Sequence, residues 1–388
     1  MNLLRKRKKI SFLSKAKMGN SLKIRSYSIL SLKILNSLFA LQLILSYAAP
    51  FIDPNTFSVM PFFGLTYPMA LIMNVVFVLV WIFIKSKWLL LSSIIIIIGI
   101  PLHLRVFSFG ITEDTIPENA NVIKLMSYNV RLFDLYNESF DEAIKRRNEI
   151  FRFIRNENPD VLCIQEFYHQ EKPTNFNTLD SICQIMSTNS FHEKSKYFSH
   201  SRQHFGIALF SKYPIIHKGI VGQHKTDVGD MNYCIYADIV KKKDTIRVYN
   251  VHFESIKLES DEYSRKTNAQ SKNTSTKLKK VYSKLNTAFK IRARQSKIVR
   301  NHIKSSPYKA VICGDFNDTP MSYTYQVFNS FLTDAFRNTS SGFGVTYVGY
   351  LPAGRIDYIF HSDDLHSVQF KIQNEEFSDH HAISCLIY

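Results

Sequence analysis

The stretch "AVICGDFNDTP", Ala310–Pro320, decides the fold, because an apolar strand runs directly into charged and polar residues. Residues 310–313 suit a buried strand. Asp315, Asn317 and Asp318 follow after one glycine. Unpaired buried charges are strongly disfavoured, so these groups should face a solvent-filled site or bind a ligand.

Five further apolar segments carry polar side chains at or near their ends. Each such residue alone is more typical of a turn or a satisfied core group. Several strands that bring polar residues to one edge of packed sheets assemble a site on a rigid scaffold. The segments are "VIKLMSYNV" with Asn129, "VLCIQE" with Glu166, "TIRVYNVHFES" with His252, "GRIDYIFHS" with Asp357, and "SDHHAISCLIY" with Asp379 and His380.

Helical patterns between these strands indicate an α/β domain over residues 122–388. The segment "DEAIKRRNEIFRFIRNENPD" places Ile144, Ile150, Phe151 and Ile154 on a charged helix that stops at Asn-Pro. Residues 111–121 predict a polar linker in front of this domain.

The first 110 residues predict a membrane anchor. They contain three uncharged runs, Ile34–Ile52, Val59–Ile84 and Trp88–Leu104. The first two are long enough to cross a hydrocarbon core, and the third lengthens if Arg105 snorkels. A cleaved signal peptide accounts for only one such run. We therefore expect three transmembrane helices in contact with membrane lipids.

Positive charge sets the expected orientation of this anchor. Ten Lys and Arg residues precede the first run, and none lies in the loop that follows it. Lys and Arg near membrane spans stay on the cytoplasmic side. The N-terminus is therefore expected in the cytoplasm, and three crossings place the domain after Gly110 on the opposite side. A bacterial inner membrane with a periplasmic domain suits this arrangement.

The formal charge of +17 does not mark the whole chain as a nucleic-acid binder. Residues 1–112 hold 13 Lys and Arg and one acid, Asp53, and residues 256–310 hold 15 basic and 3 acidic side chains. The second segment has a helical period from about Ser275. Three interpretations of it stay open: a solvated helix that covers the fold, a contact with anionic lipid head groups, or a contact with a polyanionic substrate.

The five cysteines lack a metal-binding spacing, and an odd number cannot pair completely. Cys163, Cys313 and Cys385 lie in apolar runs. We expect free thiols that act as small core residues.

The strand-end residues share one chemistry. Carboxylate and carboxamide oxygens suit hard divalent cations such as Mg²⁺ or Mn²⁺. Histidines beside carboxylates suit proton transfer or stabilisation of developing negative charge. A cation, a base for water and a positive group near the phosphate oxygens are what phosphoester hydrolysis requires. The sequence has no Walker-type glycine loop and no GxSxG elbow.

Six motifs in order resemble the endonuclease/exonuclease/phosphatase superfamily, which includes deoxyribonuclease I, abasic-site endonucleases, sphingomyelinases and inositol-polyphosphate phosphatases. The motifs are "MSYNVR", "IQE", "VYNVHFES", "GDFNDTP", "RIDYIF" and "SDHHA", and they span about residues 122–388. The resemblance implies a four-layer α/β sandwich, with two mainly antiparallel sheets packed face to face and helices outside. In this chain transmembrane helices would precede it.

The resemblance also implies catalytic roles. Asp315 would orient or deprotonate the attacking water, and Asn317 would hydrogen-bond the scissile phosphate. His380 paired with Asp357, together with His252, would stabilise phosphate oxygens or transfer protons.

The implied metal site consists of Glu166 with Asn129 and Asp379, which would hold Mg²⁺ or Mn²⁺.

Two departures from known motifs of the superfamily narrow the choice of subfamily. Arg131 stands where abasic-site endonucleases have an aspartate, and the Trp-Cys-Asp-Arg motif of inositol-polyphosphate 5-phosphatases is missing. Abasic-site repair is therefore disfavoured.

Two functions from different classes remain. The first is a membrane-anchored, metal-dependent phosphoester hydrolase whose substrate is a nucleic acid, a phospholipid head group or another phosphoester. The second is a catalytically inactive membrane protein of the same fold that binds phosphate-bearing ligands. Retention of both a water-activating Asp315 and a metal-binding Glu166 favours the first. No protein partner is predicted.

Overall fold

Two six-stranded β-sheets pack face to face in the computed structural model of the chain. The structure describes residues 27–110, 115–136, 139–222, 234–256, 274–349 and 354–388. The strands, numbered in chain order, are β1 (Ser108–Phe109), β2 (Ile123–Asn129), β3 (Val161–Gln170), β4 (Ser190–Phe198), β5 (Gln203–Ser211), β6 (Ile215–Ile220), β7 (Cys234–Lys241), β8 (Asp244–His252), β9 (Lys309–Asp315), β10 (Thr333–Asp334), β11 (Ser341–Gly342), β12 (Asp357–His361), β13 (Ser367–Ile372) and β14 (Ile383–Ile387).

Each sheet has one parallel strand pair at its centre. The first sheet has the order β13-β14-β2-β3-β5-β4, and the second has the order β10-β12-β9-β8-β7-β6. Strands β2 and β3 run parallel, as do β8 and β9, whereas the other neighbours are antiparallel. The predicted sandwich of mainly antiparallel sheets is confirmed. Strands β1 and β11 form a separate small pair.

Helices cover both outer faces of the sandwich. The helices are α1 (Tyr27–Phe51), α2 (Met60–Leu65), α3 (Tyr67–Phe83), α4 (Leu89–Ile98), α5 (Ile100–Val106), α6 (Phe140–Glu157), α7 (Thr178–Ile185), α8 (Thr274–Lys304), α9 (Tyr323–Asn329) and α10 (Ala335–Thr339). Helices α6 and α7 pack on the first sheet, and α8 and α9 pack on the second. With the apolar layer between the sheets, these contacts give the four layers that the sequence predicts.

Helix α6 forms where the sequence predicts it, between two caps. The Ser139 side chain accepts a hydrogen bond from the Glu142 backbone N–H, and Asn158 ends the helix in the left-handed conformation. The helix buries Ile150 and Ile154, as predicted. The five cysteines are free thiols, also as expected.

A buried amide joins the two sheets beside the predicted site. Asn250 of β8 donates hydrogen bonds to the backbone oxygens of Ile164 and Ala208 in the other sheet, at 3.0 and 2.9 Å. Its Oδ1 accepts a hydrogen bond from Gln165 Nε2 at 2.6 Å. Buried polar groups need such partners, so Asn250 fixes how β8 lies against β3.

The expectation of three transmembrane helices is wrong in number. Among the described residues, only Tyr27–Phe51 is long and apolar enough by itself to cross a membrane. The second predicted run is divided between α2 and the 17-residue α3, and the third bends by 65° between α4 and α5. Pro68 and Pro101 lie in the first turns of α3 and α5, where proline favours a new helix start over a continuing helix.

The N-terminal helices also contact the sandwich. Lys297 of α8 pairs with Asp53. The Phe62 ring of α2 stacks on the Tyr282 ring of α8, with 4.7 Å between the ring centroids. The predicted basic segment is thus partly a contact surface for the N-terminal helices, while residues 257–273 lie outside the described part of the chain.

Arg105, whose snorkelling would lengthen the third apolar run, is instead buried. Its guanidinium lies over the rings of Phe51 and Tyr325, at 5.6 and 5.9 Å. Its backbone oxygen accepts a hydrogen bond from Arg355 Nη2 at 2.9 Å. Arg105 therefore joins the N-terminal helices to the sandwich. Residues 111–114 of the predicted linker are not among those described.

Candidate active site

The two parallel strand pairs bring four predicted residues to one edge of the sandwich. Asn129 ends β2, His252 ends β8 and Asp315 ends β9, while Glu166 lies in β3. His252 is paired in register with Asp315. Because parallel strands end at the same edge of a sheet, loop residues are not needed to assemble this group.

A β-bulge places Glu166 at this edge. Strand β3 was expected to end at Glu166, but it continues to Gln170. The pairing with β5 shifts register between Ile164 and Phe167, and Glu166 has a φ of 48°. Bulges redirect side chains next to active sites. Gln165 points into the interior towards Asn250, whereas the Glu166 side chain is 33% exposed.

Gly314 explains why the strand before Asp315 can lie so close to β8. Its φ is 138°, which L-residues rarely adopt. A Cβ at this position would lie 2.0 Å from the Val251 backbone oxygen. Glycine is therefore required immediately before Asp315.

Asp315 lies at the centre of the group and is almost fully buried. Its Oδ2 accepts a hydrogen bond from Asn129 Nδ2 at 3.0 Å and lies 3.7 Å from both His252 Nε2 and His380 Nε2. Burial raises the pKa of Asp315 above its ordinary value, and Asp357 adds to this, although His380 and His252 oppose it. The carboxyl group is thus poised to accept a proton nearer neutral pH than an exposed aspartate.

His380 and Asp357 form a buried pair. The two side chains meet at 2.9 Å between Nδ1 and Oδ2. Although burial opposes the charged form, Asp357 and Asp315 raise the pKa of His380 to about 10. The imidazole is therefore protonated at neutral pH and presents Nε2–H to the centre of the site.

Asn317 supports Asp315. Its backbone N–H donates to Asp315 Oδ1 at 2.8 Å, and its Nδ2 donates to Asp315 Oδ2 at 3.2 Å. The same Nδ2 donates to the Phe253 backbone oxygen at 3.0 Å. These bonds hold the carboxylate in place, and contact between Asn317 and a phosphate stays a prediction.

Asp379 lies on the open side of the group. Its Oδ2 is 3.7 Å from Arg131 Nε. Both residues line a pocket of about 390 Å³ together with Asp134, Arg146 and Phe377. Asp379 is the predicted site residue that lines this pocket.

The donor set fits a hard divalent cation. Glu166, Asp315, Asp357 and Asp379 concentrate negative charge at this edge, and burial and Asp379 raise the pKa of Glu166. A bound divalent cation would relieve this repulsion, and carboxylate oxygens are the ligands that Mg²⁺ and Mn²⁺ prefer. The Asn129 amide nitrogen faces the carboxylates, 3.4 Å from Glu166 Oε1, so its role as a metal ligand stays a prediction.

Sequence reasoning missed the residues that support this site. Asn250 and Gly314 lie inside quoted motifs, yet neither was assigned a role. Thr346 also went unnoticed, although its Oγ1 accepts a hydrogen bond from the Asp357 backbone N–H at 3.1 Å. A glycine directly before a strand-end carboxylate was the readable signal, whereas the contact of Thr346 depends on the tertiary structure.

Two sheets pack as a sandwich, and carboxylates and histidines lie together at one edge. This combination is typical of proteins that process phosphoesters. The family model described as the Endonuclease/Exonuclease/phosphatase family matches residues 126–380, and the chain belongs to this family. Members of this superfamily are generally phosphoester hydrolases and generally use divalent metals. A second model, described as a domain of unknown function, matches residues 28–106.

Solved structures that are similar to this chain come from several organisms. A family protein from Bacteroides vulgatus has 16% identity and a TM-score of 0.50, over 69% of this chain and 99% of that chain. One from Bacteroides thetaiotaomicron has 15% identity and a TM-score of 0.48, over 69% and 97%. Truncated TDP2 from Caenorhabditis elegans has 18% identity and a TM-score of 0.47, over 69% and 98%. No curated protein matches the chain significantly.

Proposed function

We propose that this chain is a membrane-anchored phosphoester hydrolase that depends on Mg²⁺ or Mn²⁺. The observation that carries the proposal is the position of Asp315, buried between Asn129, His252 and the protonated His380. A base and a cationic hydrogen-bond donor 3.7 Å apart suit attack of water on phosphorus.

The residues of the chain divide the chemistry among them. Asp315 takes a proton from the attacking water, and Asn129 and Asn317 hold its carboxylate in the productive orientation. His380, which Asp357 keeps protonated, donates Nε2–H to a phosphate oxygen as negative charge develops.

A divalent cation held by Glu166, with Asp379 and Asn129, would polarise the phosphoryl group and lower the pKa of water. His252 lies between this carboxylate and Asp315, since its Nε2 is 3.9 Å from Glu166 Oε1 and 3.7 Å from Asp315 Oδ2. We infer that His252 contacts the phosphate together with His380.

The N-terminal helices support membrane attachment. Tyr27–Phe51 is long enough to cross a bilayer. Many large apolar side chains on α1, α3 and α4 are exposed in the isolated chain, which suits immersion in lipid. With the ten basic residues before Ile34 in the cytoplasm, an odd number of crossings would put the catalytic domain on the extracytoplasmic side, such as the periplasm of a bacterium.

The substrate is proposed as a class. A nucleic acid, a phospholipid head group and another phosphoester all present the phosphate that this site would recognise. Membrane attachment favours a substrate at the membrane surface.

The test uses the full chain in detergent with bis(p-nitrophenyl) phosphate and p-nitrophenyl phosphate. Hydrolysis should require Mg²⁺ or Mn²⁺, stop in EDTA, and fall by about 10²–10⁴-fold in Asp315→Asn. The matched control is Asp364→Asn, since the Asp364 side chain is 57% exposed and lies 3.8 Å from Lys309. The control should keep full activity.

A folded, Mg²⁺-loaded protein that cleaves neither ester, nor DNA, RNA and phospholipids, would contradict the proposal. That result would point to the alternative of a phosphate-ligand binding protein.

A further inference from the structure

The loop that follows Asp315 lies against the end of α1, the helix that is long enough to cross a membrane. A Cβ at Gly64 of α2 would lie 2.5 Å from the Met321 backbone oxygen and 3.3 Å from Ala49 Cβ of α1. Met321 is buried in one apolar cluster with residues of α1 and α3. The catalytic edge of the sandwich is therefore next to the end of α1.

Three phenylalanine rings meet at the same place. The Arg105 guanidinium lies 5.6 Å from the Phe51 ring, so α5 and α1 end side by side. Phe107 follows α5, and its ring centroid is 5.0 Å from that of Phe109 and 4.9 Å from that of Phe343. Phe109 and Phe343 are 64% and 62% exposed. The pairing of β1 with β11 holds these two residues near each other.

The segment after β11 connects these rings to the catalytic site. The Val348 backbone N–H donates a hydrogen bond to the Asp379 backbone oxygen at 2.8 Å. The Tyr347 ring centroid is 5.1 Å from that of His380. Exposed apolar side chains therefore run from the end of α5 to the catalytic histidine. We call them the apolar rim, which consists of Phe109, Phe343, Val345 and Val348.

Lipid is the cover that the position of this rim favours. Scattered exposed apolar residues are common, whereas a contiguous group of them marks a contact surface. Ile100 and Leu104 of α5 are also exposed, so the rim continues the apolar surface of the N-terminal helices. A crossing by α1 puts the bilayer surface at the end of that helix, where the rim begins. Aromatic and aliphatic side chains at this depth bury their apolar area among the lipids.

The rim also meets a positively charged pocket. Val348 lines the pocket of Asp379 together with Phe377, Arg131 and Arg146. Arginine side chains bind phosphate oxygens, and the two apolar residues suit the hydrocarbon part of a ligand. A phospholipid joins these two chemistries in one molecule, whereas a nucleic acid has no hydrocarbon chain.

We propose that the apolar rim enters the bilayer surface and that the catalytic edge hydrolyses a phosphoester carried by a membrane lipid. This inference rests on the proposed function. The water oxygen bonds to phosphorus as one P–O ester bond of the lipid breaks. The proton that Asp315 removes from the water is balanced by protonation of the leaving oxygen.

The first experiment measures lipid contact at Phe343. The full chain carries Cys183→Ser, which removes the one thiol that is not buried, and Phe343→Cys labelled with the fluorophore NBD. Lipids with a nitroxide near the head group should quench this label in vesicles of phosphatidylethanolamine and phosphatidylglycerol.

The matched control for the label is Ile216→Cys. Ile216 is 58% exposed and lies at the opposite end of the second sheet from His252, beside the start of β8. Its label should not be quenched. Equal fluorescence changes at the two positions, including no change at either, would overturn the proposed contact.

The second experiment measures hydrolysis by the reconstituted full chain. The vesicles contain phosphatidylethanolamine, phosphatidylglycerol and phosphatidic acid, whose products are followed by mass spectrometry, and bis(p-nitrophenyl) phosphate is the soluble substrate. Phe343→Glu should lower lipid hydrolysis about tenfold, since it replaces a large apolar side chain in lipid with a charge. It should leave hydrolysis of the soluble ester unchanged, and Ile216→Glu should change neither rate.

The two substrates separate this inference from the proposed function. A wild-type chain that cleaves the soluble ester but none of the lipids would overturn the inference and keep the proposed function. Equal lipid hydrolysis by wild type and Phe343→Glu would also overturn it. A wild-type chain that cleaves neither substrate would contradict the proposed function and, with it, this inference.

Discussion

The Asn250 amide allows a stability prediction to be worked from individual hydrogen bonds. Asn250→Ala removes the hydrogen bonds of Asn250 to the backbone oxygens of Ile164 and Ala208. It also removes the hydrogen bond that Gln165 Nε2 donates to Asn250 Oδ1. Gln165 Nε2 keeps its bond to Ser127 Oγ at 3.1 Å. Each of the three lost hydrogen bonds contributes about 0.5–1.5 kcal/mol net, which gives a loss of about 1.5–4.5 kcal/mol.

This loss is a large part of the roughly 5–15 kcal/mol that stabilises a typical domain. The melting temperature should fall by at least about 3 °C, since about 2–4 °C corresponds to 1 kcal/mol in large domains. Asn250→Asp has nearly the same shape but points a carboxylate at two carbonyl oxygens. It should therefore be destabilised at least as much.

The assay is thermal unfolding of the detergent-solubilised chain followed by far-ultraviolet circular dichroism. Tryptophan fluorescence is unsuitable because both tryptophans, Trp81 and Trp88, lie in or beside the N-terminal helices. The control Thr245→Ala, at a half-buried position of the same strand, should change the stability by less than about 1 kcal/mol. An Asn250→Ala protein that melts with the wild type would refute this reasoning.

Three further changes test other parts of the structure. Asp357→Asn should lower kcat about tenfold to a hundredfold with little change in KM, because it weakens a charge-assisted hydrogen bond to His380. Unchanged steady-state kinetics would argue against a role of Asp357 in keeping His380 charged. Gly314→Ala should destabilise the protein more than Gly342→Ala. Both glycines have a positive φ, but only a Cβ at Gly314 would collide with a backbone atom of the neighbouring strand. Equal melting temperatures of the two variants would contradict this close contact. Protease added to right-side-out vesicles should digest the catalytic domain, because a single crossing by Tyr27–Phe51 would leave it outside. Digestion only in inverted vesicles would contradict this proposed topology.

Local pattern was sufficient to predict the strand ends. Asn129, His252 and Asp315 each follow an apolar run, and the structure places each at the last residue of its strand. The prediction works because burial of an apolar strand and exposure of its polar end are both local in sequence. Glu166 differs because its position depends on a register shift against β5, which no local pattern encodes.

Composition alone misled the prediction of the N-terminal region. Uniform hydrophobicity joined helices that Pro68 and Pro101 separate, and the proline signal was present in the sequence. The contacts of Arg105 with Phe51 and Tyr325 could not be predicted because these partners are distant in sequence. Hydropathy reports the environment of a segment but not where its helix bends or what it packs against.

Close approach of neighbouring strands depends on glycines that no short motif marks. A Cβ at Gly206 of β5 would lie 2.0 Å from the Lys194 backbone oxygen of β4. The same holds at Gly314, where a glycine lets β9 lie close to β8. At Gly314 this approach brings the candidate catalytic residues His252 and Asp315 side by side. A glycine beside a strand residue with metal-binding or acid–base chemistry is therefore a more informative sequence signal than that residue alone.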